Sequence, residues 1–208
     1  MKHIRECRCR QLFVLACKEW TKKFRWSAGT SRRFYVSATP WLWGDDVMAS
    51  AASKLRAFHD ATTDLVTEGQ LWRTRTHDPV EVICHNDFAP YNLVFQDHCL
   101  VGAIDFDMAS PGPRVWDLAY LAYRLVPLTA WSNHESLSSS AKERARRLAL
   151  RCESYGLLTP RAVLDVAGAR LDEIATFTRS RGGRAEHVEL YVRDAQYVRA
   201  NLLALIAG

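Results

Sequence analysis

His85-Asn86-Asp87-Phe88-Ala89-Pro90-Tyr91-Asn92 sets a histidine, a carboxylate and an amide at fixed spacing, and a second carboxylate, Asp105, follows thirteen residues after Asn92 in Ile104-Asp105-Phe106-Asp107. This order of groups suits phosphoryl transfer, where catalysis is mostly positioning and charge neutralisation. Asp87 can take the proton of an attacking hydroxyl as general base. Asn92 and Asp105 offer hard oxygen donors, which suit Mg²⁺ better than a softer metal. His85 joins Asp87 in the catalytic loop, packing and hydrogen-bonding to hold it rather than titrating. Asp107 reads equally well as a further metal or substrate group and as an acceptor of backbone N–H bonds. Any one of these residues alone reads as a turn or cap residue. Together, in order and between apolar runs, they point to a phosphotransfer site.

Three short β-like runs must position them. Val80 to Cys84 leads into the loop, Asn92 to Phe95 follows it, and Leu100 to Ile104 delivers Asp105. The short link between the second and third runs predicts a hairpin, which brings Asn92 near Asp105. Asp45 or Asp46 can cap a helix running to about Ala61, with Val47, Met48, Ala51, Leu55 and Phe58 on its apolar face. Residues 62–79 read as loop, and Ser110-Pro111-Gly112-Pro113 as another. Helices are predicted over Arg114–Leu125, Ala141–Tyr155, Pro160–Thr178 and Arg184–Ala207. Asp117, at the start of the first of these, is a carboxylate in an apolar context. If buried it needs partners, and the backbone of the catalytic loop is a candidate. The predicted fold is α+β, mostly helical, with a small antiparallel hairpin carrying the polar residues.

At 208 residues and 48% hydrophobic the chain can bury a core, and 25% charged residues is ordinary for a globular protein. The net charge of +5 is uneven: residues 1–40 carry +8 and residues 41–208 carry −3. A solvated basic leader over 1–40 is the expectation, with no nucleic-acid motif in it. No apolar run is long enough to cross a bilayer, so the expected location is cytoplasmic, with no membrane or nucleic-acid partner. Six cysteines follow neither a disulfide framework nor paired zinc spacing. Cys84, His85, His98 and Cys99 could be drawn as a zinc quartet, but buried or incidental thiols are the better reading. On the late helices, Asp165, Asp172, Glu173, Glu186, Glu189 and Asp194 interleave with Arg161, Arg170, Arg179, Arg181, Arg184 and Arg193. A solvated mixed-charge surface is expected there.

The segment from Ile83 to Tyr120, ICHNDFAPYNLVF…VGAIDFDMASPGPRVWDLAY, resembles the catalytic core of the aminoglycoside phosphotransferase and choline kinase-like family, which has a protein-kinase-like fold. The resemblance implies Asp87 as catalytic base, Asn92 and Asp105 as Mg²⁺ ligands, and Asp117 as the carboxylate bracing the loop. It implies ATP (or GTP) as co-substrate and a hydroxyl of a small molecule, aminoglycoside-like or amino-alcohol, as acceptor. It also implies that residues 41–208 form the C-terminal lobe, with catalytic loop 83–95, metal strand 100–107 and substrate helices 141–207. His-Asn-Asp and Asp-Phe-Asp, where protein kinases carry His-Arg-Asp and Asp-Phe-Gly, favour small-molecule kinases.

The chain departs from that pattern ahead of the loop. Gly29, Gly44 and Gly69 precede it, too far apart for a glycine-rich loop, and no lysine there sits in a valine-rich strand, so the residues that would grip ATP phosphates are unassigned. The N-terminal lobe is expected to be largely absent. A non-catalytic, substrate-binding remnant is therefore the competing reading, and a metal-dependent phosphoester hydrolase the third.

Overall fold

The computed structural model describes residues 40–65, 72–96, 99–126, 128–129 and 140–207. The leader at 1–40 lies outside them, apart from Pro40. A 3₁₀ turn at Pro40–Trp43 leads into helix α1, Asp45–Thr62. Its buried face is Val47, Met48, Ala51, Ala52, Leu55, Phe58 and His59, the three- and four-residue spacing of an amphipathic helix. The cap is Gly44, in extended conformation, rather than Asp45 or Asp46. Both aspartates fall instead in the first turn, where negative charge faces the positive end of the helix dipole.

Among the described residues the sheet content is two separate antiparallel pairs. Strand β2, Leu93–Gln96, turns back on β3, Cys99–Ala103, as the predicted hairpin, with an irregularity between Val94 and Phe95. Strand β1, Val82–Cys84, pairs with β4, Ser110–Gly112. The sequence reading placed 110–113 in a loop, and this is a correction. Ser-Pro-Gly has no intrinsic strand preference; β4 exists because its backbone meets β1. Pro111 can sit there because the pair has only two strands, so its missing N–H interrupts no further ladder. On the other edge the Pro111 carbonyl accepts from the His77 N–H at 3.0 Å, and on the β1 side the Gly112 carbonyl accepts from the Glu81 N–H at 3.1 Å.

Helix α2, Arg114–Leu125, is the centre of the molecule: every residue from Trp116 to Tyr123 is buried, and so is Leu125. Helix α3, Ala141–Tyr155, is capped by Ser140, whose side chain accepts from the Glu143 N–H at 3.2 Å, and ends on Gly156 in the left-handed region at φ 87°. Helix α4, Pro160–Ser180, starts with the Thr159 cap and the first-turn proline that the sequence predicts. The last predicted helix is two: α5, Ala185–Ala200, and α6, Leu202–Ala207, broken at Asn201. Helix α4 packs on α5 and on α2, and α1 packs on α3, around a continuous core that includes Leu118, Leu121, Leu125, Leu148 and Leu171. The architecture is mostly helical α+β. Among the described residues no helix is long and apolar enough to cross a membrane.

Candidate active site

The loop after β1 is built on Asp117. This carboxylate is fully buried at the start of α2, and it accepts the backbone N–H of His85 at 2.5 Å on one oxygen and that of Asn86 at 2.8 Å on the other. His59 of α1 lies 3.2 Å from the first oxygen through Nε2, and its Nδ1 is 2.7 Å from the Tyr155 hydroxyl of α3. Three helices thus converge on one carboxylate, and the carboxylate fixes the backbone of the loop. Burial pushes the Asp117 pKa up, but the His59 bond, the electrostatic influence of His59 and His85 and the backbone donor of His85 outweigh it, so the net direction is down. Asp117 is ionised as the fold requires.

Asn86 adopts φ 63° and Asp105 φ 64°, the two non-glycine residues with positive φ among the described residues. Asn and Asp tolerate this region better than other side chains, and such positions cluster where a loop is held for function. Asn86 spends its side chain locally: Nδ2 donates to the Met108 carbonyl and the Ser110 hydroxyl, both at 2.8 Å. Its carbonyl accepts from Arg170 of α4, whose buried guanidinium lies over the rings of Trp116 and Tyr120, at 5.3 and 4.9 Å. Arg170 is therefore not part of a solvated mixed-charge face, as the sequence reading had it. The signal was available: Val163, Leu164, Ala167 and Leu171 form the buried stripe of α4, and Arg170 falls on it.

His85 is fully buried, ringed by Phe58, Phe88 and Phe106, and both its nitrogens are engaged. Nδ1 accepts the Asp87 N–H at 3.2 Å, which leaves Nε2 to donate to the Ile104 carbonyl at 3.0 Å. The ring thus ties the backbone of Asp87 to the residue before Asp105, without a free nitrogen for proton transfer. The hairpin adds a second tie: the Ile104 N–H donates to the Asn92 carbonyl at 2.9 Å. Asp105 lies beyond the end of β3 rather than on it, with its side chain exposed. Asp107 is exposed too and pairs with Arg73 at 2.5 Å.

Asp87 stands at the convergence of these ties. Asn92 Nδ2 donates to its Oδ2 and to its carbonyl, each at 2.9 Å, and the Tyr91 hydroxyl donates to its Oδ1 at 2.5 Å. Burial raises its pKa, opposed by the Tyr91 bond, the electrostatic influence of His85 and the bonds of Tyr120 and Asn92; the net direction is up. A more basic carboxylate in a half-buried position is the property a general base needs. Asp87 opens onto a cleft of about 900 Å³, whose far wall is α4, with Tyr191 of α5 at one side. Of the expected substrate helices, α3 and α6 contribute no described residue to this wall.

The zinc quartet is not supported by the described members. Cys84 is buried, its thiol donates to the Pro113 carbonyl at 3.4 Å and burial pushes its pKa up, while His85 is occupied as above. The side chains of His98 and Cys99 lie outside the described residues. Ligand atoms of His59, Cys84 and Asp117 do fall within 4.8 Å of one another. Both Asp117 oxygens already accept loop N–H groups, so this cluster is the interior of the loop support.

A profile of the phosphotransferase enzyme family matches residues 28–164, starting within the stretch expected to be a leader. The chain is also similar to the trifolitoxin immunity protein of Rhizobium leguminosarum bv. trifolii, with 27% identity over 144 residues, 66% of this chain and 53% of the relative. It spans about half the length of that curated relative. No solved structure matches it.

Proposed function

Since this chain belongs to the phosphotransferase enzyme family, we propose that it moves the γ-phosphoryl group of ATP to a hydroxyl of a small molecule, with the described residues forming the C-terminal lobe of a kinase-like fold. The observation that carries the reading is the geometry of Asp87. It combines a pKa raised by burial, a position on the wall of a cleft and a backbone held by His85 and Asp117. Asp87 accepts the proton of the acceptor hydroxyl as the oxygen attacks phosphorus. His85 and Asp117 keep its carboxylate in place, which is the larger part of catalysis for a loose transition state.

The donor set fits Mg²⁺. With Nδ2 of Asn92 committed to Asp87, the atom left to a cation is the hard oxygen Oδ1, and Asp105 adds a carboxylate tied to it through the Ile104–Asn92 bond. When bound, the ion neutralises charge on the nucleotide phosphates. Arg170 and Trp116 hold the cleft wall beside the loop, and α4 supplies the acceptor side. The setting proposed is cytoplasmic.

Incubation of the full chain with Mg-ATP and a panel of aminoglycosides and amino alcohols tests the reading. Transfer should fall by roughly 10²–10⁴-fold in Asp87→Asn with unchanged unfolding, the usual contribution of a general base. Transfer equal to that of the wild type would remove Asp87 from the role. One observation favours a second reading, a lobe that binds without transferring: both oxygens of Asp87 already accept bonds from the chain itself. A folded protein that binds acceptor but not Mg-ATP would decide for it.

A further inference from the structure

The Tyr91 hydroxyl makes two contacts. It donates to Asp87 Oδ1 at 2.5 Å and lies 2.9 Å from the Tyr120 hydroxyl. An acceptor alcohol activated by Asp87 needs the same thing, an oxygen within hydrogen-bond reach of that carboxylate. Tyr120 is buried on α2, so its hydroxyl is fixed by the core, and the cleft reaches Asp87, Tyr91 and Tyr120 alike. Tyr91 differs. It belongs to the short 3₁₀ turn Pro90–Asn92 and is 40% exposed, with the Arg124 guanidinium 5.2 Å over its ring. A fixed pair of polar atoms is thus filled by a phenol on an exposed side chain.

We propose that Asp87 Oδ1 and the Tyr120 hydroxyl form the subsite for the acceptor hydroxyl, and that Tyr91 occupies it until an acceptor displaces its phenol. The proposal rests on the phosphotransferase reading and deepens it. Tyr120 orients the incoming oxygen, and Tyr91 keeps water off the base while no acceptor is present. Without that guard, water takes the acceptor's place. Its oxygen bonds to the γ-phosphorus, its proton passes to Asp87, and the bond from that phosphorus to the β–γ bridging oxygen breaks, releasing ADP and phosphate.

The test is hydrolysis of Mg-ATP by the full chain with no acceptor added, alongside nucleotide binding by calorimetry. Y91F keeps the ring against Arg124 and removes the competing hydroxyl; its hydrolysis should rise by roughly tenfold, the weight of one hydrogen bond to a charged group. Y91F/Y120F should fall back by a comparable factor, since the water then loses its second partner. Tyr91→Leu replaces Y91F if the latter does not fold. Hydrolysis equal to that of the wild type in folded Y91F that still binds Mg-ATP overturns the subsite and leaves the phosphotransferase reading standing. No binding of Mg-ATP by any folded variant overturns both.

Discussion

Asp117→Asn is the sharpest perturbation of the support under the catalytic loop. The wild-type carboxylate accepts two backbone N–H groups, at 2.5 and 2.8 Å, and lies 3.2 Å from His59, all without solvent exposure. Asparagine is nearly isosteric but offers one acceptor. Whichever way it turns, an NH₂ faces a backbone N–H, so one charge-assisted bond is lost and two buried donors oppose each other. A hydrogen bond to a charged group contributes about 1.5–3 kcal/mol, and breaking one side of a buried ionic arrangement costs about 3–5 kcal/mol. The variant should therefore lose about 3–4 kcal/mol, a large share of the roughly 5–15 kcal/mol that holds a domain together. Urea unfolding followed by tryptophan fluorescence at neutral pH reads this as a lowered midpoint with an unchanged slope. The pH dependence supplies a second readout. The folded pKa of Asp117 is lowered, so its contribution is present above the unfolded value of about 4 and is lost as pH falls through the folded one. The difference between wild type and variant should shrink on acidification below about pH 4. A loss under about 1 kcal/mol at neutral pH would refute the argument that this carboxylate carries the loop.

Asp194→Asn should go the other way. Its carboxylate is 1% exposed, burial raises its pKa, and only one of its oxygens has a partner, the Tyr123 hydroxyl at 2.7 Å. An acid with a raised folded pKa costs stability as pH rises through the unfolded value, so the amide should be at least as stable at pH 7 and lose that advantage below about pH 4, as thermal melts would show. Arg170→Met, which removes the Asn86 carbonyl's donor and two cation–π contacts, should cost about 2–4 kcal/mol in urea unfolding; a neutral result would return Arg170 to the surface reading. Gly156→Ala should cost about 1 kcal/mol because the cap of α3 sits at φ 87°, and a neutral melt would contradict that strain.

Much of this layout was legible because local signals agreed with the tertiary result. Thr159-Pro160 and the apolar spacing of Val47 to Phe58 mark helix starts and faces that packing then uses. The hairpin followed from two apolar runs and a short link. What the sequence hid depends on partners far along the chain. Strand β4 takes its form from β1, nearly thirty residues earlier, and Ser-Pro-Gly reads locally as a loop. Arg170 looked like one of many surface arginines because its charge was weighed before its place on the buried stripe. Tyr91 carries no spacing signal at all; only the fold brings its hydroxyl to Asp87. The family resemblance in 83–120 located the loop and its brace Asp117, whereas the groups packed around that brace and the loop carbonyl, His59, Tyr155 and Arg170, lie on helices outside that segment.

Calorimetry of the full chain with ATP, in the presence and absence of Mg²⁺ and in wild type and Asp105→Asn, tests the central claim most directly. Asparagine tolerates the φ of 64° at this position, so the variant removes the charge and keeps the backbone. The account predicts Mg²⁺-dependent nucleotide binding that is lost in the variant while its melting temperature stays unchanged. Binding indifferent to Mg²⁺ and to the substitution, or no binding by a folded wild type, would contradict it.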